Sequence, residues 1–70
     1  MGIMQDSKVY ALKKYYKALV VMHKSELDVF IEKPVAIGDH GNLIETMDSI
    51  VTKIADAEDK LRVLEDFYYE

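Results

Sequence analysis

The chain has 70 residues and a mass of 8.1 kDa, half of it hydrophobic and 31% charged. That is one small domain of foldable composition. A net charge of −4 argues against nucleic acid as the main partner, and the absence of cysteine excludes a disulfide framework or a thiolate zinc site.

The longest apolar run is Ala18-Leu19-Val20-Val21-Met22, far short of the ~20 residues a membrane span needs. No basic segment followed by an apolar stretch opens the chain. A cytoplasmic protein without a membrane partner is expected.

The first predicted element is a helix over about residues 6–32. Asp6 or Ser7 is its candidate N-cap. Val9, Leu12, Tyr16, Leu19, Leu27 and Phe30 recur at helical rather than alternating spacing. Val20-Val21 and Val29-Phe30-Ile31 favour strand locally, but the 3.6 pattern runs past both. A second stripe, Ala11, Tyr15, Ala18, Met22 and Val29, flanks the first. Lys13, Lys17 and Lys24 share a narrow face opposite the main stripe, and a polar-face Lys13 is expected to tolerate truncation to alanine.

A loop over about residues 33–42 follows. It holds the only proline, Pro34, and two of the three glycines, Gly38 and Gly41. Pro34 ends a helix and pushes Lys33 out of helical geometry. Gly38 and Gly41 permit a tight turn. Asp39 or Asn42 can cap the next helix, and Asn42 with Glu45 resembles a capping box.

The second helix is predicted over about residues 43–68. Leu43, Met47, Ile50, Ile54, Ala57, Leu61, Leu64 and Tyr68 alternate spacings of 4 and 3 without a break. This is the heptad seam of coiled-coil packing. Asp56 with Lys60 and Glu58 with Arg62 are favourable pairs one turn apart.

Charge then orients the two helices. Residues 1–35 carry +2 and residues 36–70 carry −6. An antiparallel arrangement sets the lysines between Lys8 and Lys24 beside the acidic end of the second helix. The fold class is therefore all-α: an antiparallel two-helix hairpin in a single domain. It should place Val9 and Leu12 near Leu64 and Tyr68, and Phe30 near Leu43 and Met47. One hairpin encloses no core, and its first helix is apolar over about half its circumference, against the ~100° of an ordinary surface helix. A homodimeric four-helix bundle, or a larger helical oligomer, is the expected assembly.

Five groups of residues invite chemistry. His23 with Glu26 could supply half of a metal site between chains, since bundle metal sites pair histidine with glutamate. The order is reversed from the usual Glu-x-x-His and the second seam offers no carboxylate, so a partly buried structural histidine is preferred. Asp39-His40 lacks a third ligand nearby and reads better as a cap. Glu58-Asp59 and Glu65-Asp66 recur on one face, loosely similar to the carboxylate clusters of all-helical nucleotide pyrophosphatases, and read better as a solvated face. Lys13-Lys14-Tyr15-Tyr16-Lys17 mixes basic and aromatic residues as nucleic-acid binders do, but its tyrosines fall on the apolar side. Phe67-Tyr68-Tyr69 reads as an aromatic plug at the bundle end. No P-loop, dinucleotide fingerprint, His-Glu-x-x-His or nucleophile elbow occurs. No catalytic, cofactor-binding or metal residue is assigned, and no cofactor is expected.

Ile37-Gly38-Asp39-His40, Lys53-Ile54-Ala55 and Glu58-Asp59-Lys60-Leu61 resemble small uncharacterised proteins of tailed phages infecting marine cyanobacteria. The resemblance covers about the second half of the chain. It implies a phage protein acting on a host or phage protein, and no site residue. The leading expectation is a non-enzymatic interaction module that self-associates and binds a protein partner. Its competitors are a metal-binding or enzymatic bundle centred on His23 and Glu26, and an acidic inhibitor of a nucleic-acid-binding protein.

Overall fold

The computed structural model describes residues 7–32 and 40–68. They form two helices, α1 over Ser7–Glu32 and α2 over His40–Phe67, with no strand among the described residues. α1 contains neither glycine nor proline across its 26 residues. The cost of its β-branched residues is a few tenths of a kcal/mol each, too little to divert so long a run into strand. At a rise of 1.5 Å per residue, the helices are about 39 and 42 Å long.

The helices pack against each other, and two contacts fix their direction. The Lys13 ammonium, near the start of α1, donates a 2.7 Å hydrogen bond to the backbone carbonyl of Tyr68, beyond the end of α2. Lys60, late in α2, sits over the ring of Tyr16, 5.9 Å from its centroid. The hairpin is antiparallel.

The heptad reading of α2 holds from Leu43 to Leu64, and Tyr68, expected as the last seam residue, is exposed. From Asn42 onward, Leu43, Met47, Ile50, Ile54, Ala57, Leu61 and Leu64 are the shielded side chains, and every other position through Tyr68 is exposed. A 3.5-residue repeat keeps one narrow line of side chains against a neighbouring helix.

α1 differs from expectation. Its partly shielded line is Val9, Lys13, Tyr16, Val20, His23, Leu27 and Phe30, again spaced 4 and 3 alternately, with Leu19 and Asp28 at its edges. Leu12, expected on the main stripe, is 38% exposed. Lys13, expected on the polar face, lies in the seam. The helices meet along most of the expected main stripe, with Val9, Tyr16, Leu19, Leu27 and Phe30 shielded, while Leu12 falls outside the heptad line and Lys13, Val20 and His23 complete it. Lysine fits there because its methylene stem lies along apolar surface while the ammonium reaches a polar group at the hairpin's end.

The boundaries also shift. Glu32 ends α1 as expected, and Ser7 is a helical residue. Asp6, Pro34, Gly38 and Asp39, to which capping and turning roles fall, lie outside the described residues. α2 begins at His40, three residues before the expected start. Asn42 is thus inside the helix and is not its cap, and Gly41 is helical rather than part of a turn. A glycine in the first turn is tolerable, because that turn's N–H groups have no intrahelical partner in any case.

Ile50 and Ala57, each 3% exposed, are the buried hydrophobic core of the described residues, and α1 contributes no fully buried residue. The accessible surface is 5310 Å², against about 4500 Å² for a compact monomer of this mass. The two helices cover one side of each other and leave the remainder to solvent.

Candidate functional site

His23 sits in the middle of α1, within the seam. Its Nδ1 lies 3.1 Å from Oε1 of Glu26 one turn on, with the imidazole 14% and the carboxylate 47% exposed. The bond orients the ring against the helix. Among the described residues no three histidine or carboxylate side chains come together in a way that would hold a metal ion. This pair therefore offers two donor groups from one helix.

The basic and aromatic segment forms a real cleft. Tyr10, Lys13, Lys14 and Lys17 line an open depression of about 200 Å³, closed on one side by Glu65 of α2. Lys14 stands over the Tyr10 ring, 5.4 Å from its centroid. The rings of Tyr15 and Tyr16 pack at 5.5 Å with a 53° tilt. Tyr16 turns into the seam and Tyr15 remains exposed. The segment is thus divided among three surfaces and presents no continuous stacking platform.

The acidic residues of α2 are exposed and several are paired. Lys60 bonds Asp56 at 3.1 Å, as the spacing predicts. Arg62 bonds Asp59, one turn back, where Glu58 was the expected partner. Lys24 bonds Asp28 at 3.1 Å. The hydrogen bond from Lys60 to Asp56, reinforced by the carboxylate's charge, holds the Lys60 ammonium above its ordinary pKa. Phe67 and Tyr68 are exposed in the single hairpin. Tyr69, and the side chain of His40, lie outside the described residues.

The largest unbalanced feature is apolar. Tyr15, Met22 and Val29 are 57%, 54% and 64% exposed. With the exposed Ala11 and Ala18 they are the second stripe of α1. At 100° per residue this stripe is centred about 140° around the helix from the seam, with Leu12 and Leu19 between. α1 is therefore two-faced: one heptad line meets α2 and the other meets solvent. A single exposed apolar residue is ordinary, whereas a line of them along one helix marks an interaction surface.

What the sequence did not expose was Lys13 as a seam residue. The signal was present: Val9, Tyr16, His23 and Phe30 recur every seven residues, and Lys13, Val20 and Leu27 interleave as the second line of the same heptad. Neither described helix is long and apolar enough to cross a membrane. No protein-family model, curated protein or solved structure matches the chain.

Proposed function

We propose that this protein is a non-enzymatic helical interaction module that self-associates, most simply as a homodimeric four-helix bundle, and acts by binding another protein. The observation that carries this reading is the exposed stripe of α1. Tyr15, Met22 and Val29 stand in water on one face while the buried core of the described residues amounts to Ile50 and Ala57. Small domains without a disulfide or structural metal ordinarily gain stability by association. Covering the stripe supplies apolar burial that one hairpin lacks, and a bundle of two hairpins has the enclosed core that a pair of helices does not. Sedimentation equilibrium at micromolar concentration tests the proposal. The expected mass is a multiple of 8.1 kDa; a cooperatively folded monomer overturns it.

The competing reading, a metal or acid–base site built on His23 and Glu26, draws on their 3.1 Å contact. Metal analysis of the purified protein and thermal melts with and without chelator separate the two. Under the interaction reading, chelator leaves the melt unchanged. His23→Leu then preserves the fold, because apolar packing replaces a polar pair at a shielded position. A stoichiometric transition metal lost on chelation favours the metal site.

A further inference from the structure

We infer that the occupant of the exposed α1 stripe is the same stripe of a second copy, running antiparallel, with the two-fold axis passing between Ala18 and Met22. This rests on the self-association proposed above and adds which helix meets which, in what direction and in what register.

Size alternation along the stripe carries the direction. Ala11, Tyr15, Ala18, Met22, Ser25 and Val29 are all exposed and are spaced 4, 3, 4, 3, 4. They form a second heptad line on α1, offset by two residues from the line that meets α2. Small residues (Ala11, Ala18, Ser25) alternate with large ones (Tyr15, Met22, Val29). In an antiparallel pair centred between Ala18 and Met22, each large residue meets a small one. Tyr15 meets the partner's Ser25, Met22 meets the partner's Ala18, and Val29 meets the partner's Ala11. Facing layers that alternate large and small fill space without voids. In a parallel, in-register pair, tyrosine would meet tyrosine and alanine would meet alanine, giving collisions and holes in turn.

Charge gives the same direction independently. Lys8, Lys13, Lys14, Lys17 and Lys24 occupy α1 up to its last third without an acid, and Glu26, Asp28 and Glu32 close it without a base. An antiparallel copy lays each acidic end over the other's basic start. A parallel copy sets like charges together, at a cost in affinity. Lys14 and Asp28 each immediately precede a large stripe residue and lie on the same side of the stripe. The stated register brings Lys14 beside the partner's Asp28 at both ends of the contact. Such flanking pairs select orientation in paired helices.

The chain contains no cysteine, so introduced cysteines report alone. Ala11→Cys and Val29→Cys are each prepared in the full chain, and each is oxidised mildly alone and in an equimolar mixture. Both positions are exposed in the hairpin, so neither change disturbs the α1–α2 seam. The antiparallel register predicts a disulfide between the two variants in the mixture and none in either alone, where identical cysteines would be about 27 Å apart. Tyr15→Cys mixed with Ser25→Cys is an independent pair and must behave alike. Disulfides formed by each variant alone indicate a parallel contact and overturn the inference. Absence of crosslinking with a dimeric mass in sedimentation overturns it too, while leaving self-association intact through another face. A monomeric mass overturns both.

Discussion

Lys13 occupies a seam position that a leucine would ordinarily hold. Its stem covers apolar surface, and its ammonium donates to the Tyr68 carbonyl at 2.7 Å. A carbonyl at the end of α2 has no intrahelical donor, so the bond satisfies a group that helix geometry leaves open. Lys13→Ala is therefore expected to lower stability by about 1 kcal/mol, whereas Lys17→Ala stays within about 0.5 kcal/mol. Urea unfolding of both variants at one protein concentration checks the difference. Lys60 makes a different kind of contact. Asp56 stabilises its charged form, so its pKa is raised in the folded chain. A group whose folded pKa lies above its unfolded value contributes stability that is complete below the unfolded lysine range. That contribution disappears as the pH rises through the raised value. NMR titration of the Lys60 side chain should show the elevation, and Asp56→Asn should return it toward the ordinary range. An unchanged titration in that variant assigns the shift elsewhere.

α2 carries one heptad line and α1 carries two. The α2 line is tightest at Ile50 and Ala57, one heptad apart. Ile50→Ala truncates the larger of the two buried core side chains among the described residues and should cost about 2–3 kcal/mol. Ala57 is 3% exposed, so a longer side chain there has to displace packed neighbours. Ala57→Leu should therefore also destabilise, by about 1–3 kcal/mol through overpacking, although it adds apolar surface. Gains in stability from Ala57→Leu would mean that the seam holds a void at that level. On α1, the seam line follows the main apolar stripe but takes in Lys13 and His23, and the second stripe faces away from α2.

At the scale of the whole molecule the imbalance is between surface and core. The accessible surface exceeds that of a compact monomer of the same mass by several hundred Å². Covering the stripe with a second copy reduces the excess, and folding is then coupled to association. The Tm is expected to rise with protein concentration, because mass action favours the associated native state over the unfolded chain. Scans across a hundredfold range of concentration check this; a constant Tm would place all of the stability inside one hairpin. Substitution of Met22→Glu, at the centre of the exposed stripe, should lower the associated fraction while leaving helix content in place, as read by sedimentation and circular dichroism.

Much of the architecture is legible in the amino-acid sequence. The unbroken 4–3 spacing from Leu43 to Leu64 identifies the buried line of α2, because side chains at that spacing stay on one side of the helix along its length. Pro34 locates the end of α1 at Glu32. The opposite charges of the two halves point to antiparallel helices. The exposed stripe of Ala11, Tyr15, Ala18, Met22 and Val29 was visible as a second apolar line. Tertiary structure decided which residues complete the seam of α1. Leu12 is left exposed and Val20 enters, because a straight contact with α2 follows the 3.5-residue repeat and not the widest apolar surface. It also decided that Lys13 belongs to the seam, because the Tyr68 carbonyl that receives its ammonium is 55 residues away in sequence. The start of α2 at His40 was likewise settled in three dimensions, where the weak helix preference of a first-turn glycine counts for little once seven downstream seam residues are held against a neighbour.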